Sequence, residues 1–225
     1  MTSAVIVSAG KGARMGPDVD KLFLDVAGKP VIAHTWARFD SHEAIGEIVL
    51  VVREGMQPVF AELGARCGFK KPFRIVAGGK ERQDSVWNGV HAVASDVDVV
   101  AIHDGARPCT STDVIHATIQ AARECGAAVA AQRVTDTLKC SDDGAHIAAT
   151  VDRSRLWSVQ TPQVFRVEVI RRALEVARER GLVLTDDTAA CELIGQRVRL
   201  VECRSPNPKV TTPADLAFVA SLLAG

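Results

Sequence analysis

The sequence has no charge of one sign to spare: 27 Lys plus Arg stand against 27 Asp plus Glu. That balance excludes bulk attraction to nucleic acid or to an anionic membrane, so any basic site has to be a local cluster. No apolar run approaches the roughly 20 residues that a bilayer-spanning helix needs. No charged N-terminal segment leads into a long apolar one, so a signal peptide is not expected. None of the six cysteines (Cys67, Cys109, Cys125, Cys140, Cys191 and Cys203) forms a C-x-x-C pair. No His lies at zinc-finger spacing either, and the expectation is reduced thiols in a cytoplasmic protein. No repeat, low-complexity tract or linker divides the chain. One domain is expected over 1–225, long enough for a sizeable core.

What is there is an alternation. Short β-branched runs at 4–8, 47–52, 73–77, 98–104 and 127–134 read as strands. Helical patterns follow at 30–40, 56–68, 84–94 and 111–125. This rhythm predicts an α/β fold with a mostly parallel sheet covered on both faces. Ligands of such sheets sit beyond the C-terminal ends of the strands. The rhythm breaks at 135–160, which reads as extended chain with an Asp-Asp-Gly turn, a protruding β-arm. Two helices (167–180 and 186–194), a strand (197–203) and a helix from Pro213 complete the expectation.

The first strand runs into "SAGKGARMGPDVDK", Ser8 to Lys21. Glycines after a first strand let backbone N–H groups approach a ligand closely, as in a phosphate cradle. Two familiar cradles fail. The P-loop spacing G-x-x-x-x-G-K-[ST] is broken because Met15 stands where its second glycine belongs. The same residue stands at the third glycine of G-x-G-x-x-G, and Pro17 with the polar residues after it opposes an early helix, which weakens a dinucleotide-binding oxidoreductase. A loop carrying Arg14 and Lys21 remains. Two cations beside a glycine turn suit a triphosphate, whose charge grows on the leaving oxygens during transfer.

Further stretches follow in order: "AGGKERQDSV" (77–86), "HDGARP" (103–108), "TDTLK" (135–139), "DRSRLWSVQTPQVF" (152–165), "TDDTAACE" (185–192) and "NPKVTTPADL" (207–216). Together they resemble the 2-C-methyl-D-erythritol 4-phosphate cytidylyltransferase family, from about Ala4 to Leu222. The resemblance implies a Rossmann-like nucleotidyltransferase fold of the nucleotide-diphospho-sugar transferase type. It implies CTP as substrate, Mg²⁺, release of pyrophosphate, and a homodimer whose arm embraces the second subunit.

The resemblance also assigns residues. Ser8, Ala9, Gly10 and Gly12 match the nucleotide-binding turn, and Arg14 and Lys21 its catalytic cations. Gly79 and Lys80 would meet the cytosine edge. Ser85 would give the base a hydroxyl, although Ser85 and Asp84 also suit a helix N-cap. Asp104 ends a strand where ligands bind; it either holds Mg²⁺ or hydrogen-bonds substrate or loop backbone while phosphates carry the metal. His103 is read as a structural strand-end residue. Arg107 matches a residue near the acceptor phosphate across the dimer. Thr137 and Arg153 would reach from the arm to the partner's acceptor phosphate, an anion that the Arg fork grips well. Arg155 is expected to face solvent. Thr161, Thr185 and Lys209 complete the acceptor site, with Lys209 holding the attacking phosphate. That phosphate is already anionic, so no nucleophilic side chain is required; positioning and electrostatics would suffice.

Ser8 replaces another small residue of the family pattern. Gly105 stands where alanine is frequent, Asp187 where glutamate is frequent, and Pro208 where an aliphatic residue is usual. None removes a proposed charge. Two other readings stand beside the main one. A ribitol 5-phosphate cytidylyltransferase shares the turn, the cations and the arm. A non-catalytic nucleotide-binding protein would share the fold, but the retained Arg14, Lys21, Arg153 and Lys209 speak against it.

Overall fold

A computed structural model of the chain describes residues 1–10 and 20–224. The chain opens with β1 (Thr2–Ser8), the small hairpin β2 (Asp25–Val26) and β3 (Lys29–Pro30), then α1 (Val31–Asp40). The alternation continues through β4 (Glu47–Val52), α2 (Gln57–Cys67), β5 (Phe73–Ala77), α3 (Arg82–His91), β6 (Val99–Asp104), α4 (Thr112–Cys125) and β7 (Ala127–Arg133). After the short ribbon β8 (Lys139–Cys140) and β9 (Ala149–Thr150) come β10 (Trp157–Arg166), α5 (Val167–Glu179), α6 (Asp187–Leu193), β11 (Arg199–Glu202) and α7 (Pro213–Ala224).

The main sheet has seven strands in the order β11-β7-β10-β6-β1-β4-β5. Every pairing in it is parallel except those of β10, which runs antiparallel to both β6 and β7. The mostly parallel, Rossmann-like α/β sheet expected from the alternation is therefore present. The two-sided covering follows from the period of two along each strand. Ala4 and Ile6 of β1, with Ile48 and Leu50 of β4, turn to one face, against Trp36, Phe39, Phe60 and Ile115 of α1, α2 and α4. Val5, Val49 and Val51 turn to the other, against Val86 and Val90 of α3 and Ile170 and Leu174 of α5. Among the described residues no helix is long and apolar enough to cross a membrane.

Two local results differ from the sequence expectation. β10 is a central strand where extended arm was read. Its ladder with β7 shifts register between Val159 and Gln163, around Pro162, and a proline inside a run argues against a central strand. The polar Gln160 and Gln163 also hide the alternation. Second, α3 begins at Arg82, two residues earlier than its pattern suggested. Glu81 is the N-cap and Asp84 closes a capping box, its carboxylate accepting from Glu81 N at 3.1 Å.

The arm leaves the sheet after β7 and rejoins it at Trp157. Its ribbon pairs Lys139 with Thr150 and Cys140 with Ala149. Asp143 forms its turn, one carboxylate oxygen accepting from the backbone N–H groups of Ala145 and His146, both at 2.8 Å.

Candidate active site

The C-terminal ends of β1, β5 and β6 meet over one cavity of about 210 Å³. From the glycine turn it is lined by Ser8, Ala9 and Gly10, and from the next segment by Lys21. Gly79, Lys80 and Ser85 line it from the turn into α3, Asp104 from the end of β6, and Lys209 from the segment before α7. Gly12 and Arg14 lie outside the described residues.

Two close backbone approaches shape the cavity. A Cβ at Gly79 would collide with the Asp84 side chain, and one at Gly105 with the Ser8 hydroxyl. Ser8 and Gly105 thus fit each other: the hydroxyl fills the space a methyl at 105 would take. The two departures noted in the sequence thus meet in space.

Asp104 is the electrostatic centre. Lys209 Nζ is 2.8 Å from its Oδ2, Arg107 Nε 3.5 Å from the same oxygen, and Arg82 Nε 3.7 Å from Oδ1. Burial opposes ionisation, but Lys209, Arg82 and Arg107 outweigh it and hold the carboxyl well below the usual carboxylate range. The same arrangement bears on Asp104 as a metal ligand. A carboxylate ringed by three cations is a poor direct ligand for Mg²⁺. Among the described residues no group of three His, Cys, Asp or Glu could hold a metal. Among the described residues, Asp104 so ringed does not fit a magnesium ion as a direct ligand.

The segment carrying Lys209 is anchored from below. Val210 N donates to Ala106 O at 2.8 Å, and Lys21 Nζ donates to Val210 O at 2.7 Å. Arg107 Nη1 donates to Asn207 O at 2.7 Å, and Asn207 Nδ2 donates to Thr161 O at 2.8 Å. The two lysines assigned from the sequence are therefore held by one short stretch of backbone. Asn207 lay in a quoted motif without a role; it is the buried bracket of that stretch.

His103 is fully buried and packs on Phe39 at 4.8 Å between ring centroids. Its Nε2 is 3.1 Å from Arg107 O, which can only accept, so Nε2 carries the proton. Nδ1 then accepts from the Thr161 hydroxyl at 3.1 Å, and Thr161 Oγ1 in turn accepts from Asp104 N. Burial pushes the His103 pKa down to about 4. Thr161 spends its hydroxyl within this scaffold and does not line the cavity.

Ser85 Oγ accepts from Gly79 N at 3.1 Å and donates to Glu81 O at 3.3 Å. It braces the Gly79 turn rather than capping α3. Arg82, quoted in the sequence motif without a role, lines the cavity. Its signal was available: a cation in the first turn of a helix opposes the helix dipole and asks for an acid elsewhere. That acid is Asp187, whose carboxylate accepts from Nη1 at 2.9 Å and Nη2 at 2.8 Å. Burial raises the Asp187 carboxyl above its ordinary value while Arg82 pulls the other way. Burial likewise works against the Arg82 charge, but Asp187 and then Asp104 hold it protonated.

The remaining assigned residues are elsewhere. Thr185 is exposed in the loop before α6. Thr137 and Arg153 are exposed on the arm, where the Arg153 guanidinium donates to Thr135 O. Arg155 is exposed as expected. Within this chain none of these three arm residues lines the cavity.

The model of the family "IspD: 2-C-methyl-D-erythritol 4-phosphate cytidylyltransferase" matches residues 2–224. A 2-C-methyl-D-erythritol 4-phosphate cytidylyltransferase of Caldanaerobacter subterraneus subsp. tengcongensis is 44% identical over 222 residues, 98% of this chain and 98% of that protein. One of Alkaliphilus oremlandii is 41% identical over 223 residues, 99% of this chain and 94% of the relative. The crystal structure of 4-diphosphocytidyl-2C-methyl-D-erythritol synthase from Anaerococcus prevotii superimposes with a TM-score of 0.87 at 29% identity, covering 100% of this chain and 96% of the other. With its cavity at the sheet edge, its ringed carboxylate and these relatives over nearly its whole length, the chain belongs to the IspD family of 2-C-methyl-D-erythritol 4-phosphate cytidylyltransferases.

Proposed function

We propose how the residues described above divide the work of the family reaction. The protein is a nucleotidyltransferase of non-mevalonate isoprenoid biosynthesis: it transfers the cytidylyl group of CTP to 2-C-methyl-D-erythritol 4-phosphate. A phosphate oxygen of the acceptor forms the new bond to the α-phosphorus of CTP. The bond from that phosphorus to the β-bridging oxygen breaks, and its electron pair leaves on pyrophosphate. The observation that supports this division best is the convergence of Lys21, Lys80, Arg82 and Lys209 on one cavity that also holds the Gly79 turn.

Backbone groups of Ser8, Ala9, Gly10 and Gly12 hold ribose and phosphates, and Gly79 and Lys80 read the cytosine edge with Ser85 behind them. Arg14 and Lys21 stabilise charge on the α-phosphate and the departing pyrophosphate. Lys209 holds the attacking phosphate; Asp104 keeps its ammonium at the cavity until the substrate arrives. Arg107 and Thr161 act from beneath the site, through Asn207 and Asp104. Thr185 faces the acceptor. Magnesium, which the family resemblance implies, would be held by the phosphates of CTP, which are good Mg²⁺ ligands.

Thr137 and Arg153 act on the acceptor phosphate of a second copy, in a homodimer joined through the arm at 135–160 of one 225-residue domain. The arm's exposure supports this: Ile147 is 69% exposed, and an isolated two-stranded ribbon is marginal in water. Six free cysteines support a reducing, cytoplasmic setting.

The test is pyrophosphate release from CTP and Mg²⁺ with 2-C-methyl-D-erythritol 4-phosphate, beside ribitol 5-phosphate. Faster turnover with the first is expected. Turnover with the second alone would move the protein to another acceptor; silence with both would leave a nucleotide-binding protein.

A further inference from the structure

The first turn of α3 does more than cradle the nucleotide. Arg82 spans two parts of the site: its two terminal nitrogens fork onto Asp187, and its Nε lies 3.7 Å from Asp104. Asp187 is 1% exposed and is the first residue of α6. Gln83, the residue after Arg82, reaches the loop before α6. Gln83 Nε2 donates to Leu182 O at 2.9 Å, and Leu184 N donates to Gln83 Oε1 at 2.8 Å. From the other side, Gln163 of β10 donates to Asp186 Oδ2 at 2.9 Å and accepts from Asp187 N at 3.1 Å. Thr185 thus sits between two residues, Leu184 and Asp186, that are both tied down.

We propose that Arg82 is a positioning residue for cytidylyl transfer, fixing the loop that carries Thr185 in register with the nucleotide cradle and Asp104. This role presupposes the reading of the reaction given above. The chemistry calls for arginine in particular. A planar fork fixes both the distance and the plane of the carboxylate it grips, whereas an ammonium supplies charge without orientation. Because the fork starts at the first residue of α3, any shift of the nucleotide turn is transmitted to the loop before α6. The two substrates would then be held at a fixed separation before the acceptor phosphate attacks.

The experiment compares Arg82→Lys, Asp187→Asn and the double variant with the wild type. Acceptor KM and kcat come from pyrophosphate release, and the CTP dissociation constant from calorimetry without acceptor. Each single variant is expected to raise the acceptor KM about tenfold, the weight of one lost charge-assisted contact, with CTP affinity changed less than about threefold. The double variant should be no worse than the weaker single, because both remove the same contact. Additive losses in the double variant would overturn the role, as would CTP affinity falling as far as the acceptor KM rises, or unchanged constants. A silent wild type would overturn the parent reading and this role together; an active wild type with such results overturns only this role. If either variant fails to fold, Gln83→Ala releases the same loop at Leu182 and Leu184. It should show the same acceptor-side signature, and its absence would count against the proposal.

Discussion

The floor of the cavity and the arm are both rich in polar side chains, yet they are held on different terms. Asp104 is 8% exposed, and Lys209, Arg107 and Arg82 face it from three separate parts of the chain. Around it His103, Thr161 and Asn207 pair with one another and with backbone, so the site is supported by the folded core of the same chain. In the arm every residue from 139 to 150 is exposed. Its hydrogen bonds are short-range, such as Lys139 Nζ to Thr150 Oγ1 at 2.6 Å and His146 Nδ1 to Asp143 Oδ2 at 2.7 Å. One region completes its charge pairs internally; the other leaves Arg153 and Ile147 facing outward. The difference predicts that substitutions at the floor damage stability and turnover together, while substitutions in the arm damage acceptor use and leave the fold intact.

The largest effect should come from Lys209→Ala. Losing the cation proposed to hold the attacking phosphate is expected to lower kcat about 10²- to 10³-fold. Steady-state pyrophosphate release measures this, and a loss below tenfold would remove Lys209 from the chemistry. Asp104→Asn comes next. It leaves three cations facing a neutral amide in a buried place, and the cost should be about 3–5 kcal/mol in urea unfolding. A variant as stable as the wild type would mean the floor is as dispensable as a surface.

Acid should separate the two regions further. The unfolded chain takes up a proton at His103 near pH 6.5, and the folded protein only at about pH 4. Stability is therefore complete above pH 6.5 and falls as the pH drops through that window, by on the order of 3 kcal/mol. His103→Gln should flatten that slope; an unchanged slope would place its origin elsewhere. The contribution of Asp104, whose folded-state pKa is also depressed, lies lower on the pH scale. It is complete above the ordinary carboxyl value of 3.8 and is lost only at more acid pH.

Smaller effects test the arm and the nucleotide turn. Arg153→Ala should raise the acceptor KM about tenfold, the scale of a lost contact between a guanidinium and a phosphate, with the melting temperature unmoved. A fall in melting temperature would show the arm to be part of the core after all, and a monomer on sedimentation would end the shared-site reading. Ser85→Ala, the mildest, removes the acceptor of Gly79 N. It should cost about 1 kcal/mol in CTP affinity, read by calorimetry.

Much of this was legible in the chain. The alternation of β-branched runs with amphipathic segments determined a parallel sheet covered on two faces. The glycines and cations after its strands marked the edge where the cavity lies. Such patterns span a few residues, and local backbone preference together with side-chain period is enough to produce them. β10 was not legible, because Pro162 and two glutamines break its period and its place between β6 and β7 depends on partners far along the chain. The fork of Arg82 on Asp187 crosses 105 positions, and the support of Asp104 by Thr161 crosses 57. The fit of Ser8 to Gly105 is of the same kind. A sequence window contains one member of each pair, and only packing brings the other within 3 or 4 Å. The sequence by itself therefore determined which groups the site possesses and at which edge they lie. The tertiary structure decided which of them line the cavity and which, like Thr161 and Arg107, lie outside its lining and hydrogen-bond its supports.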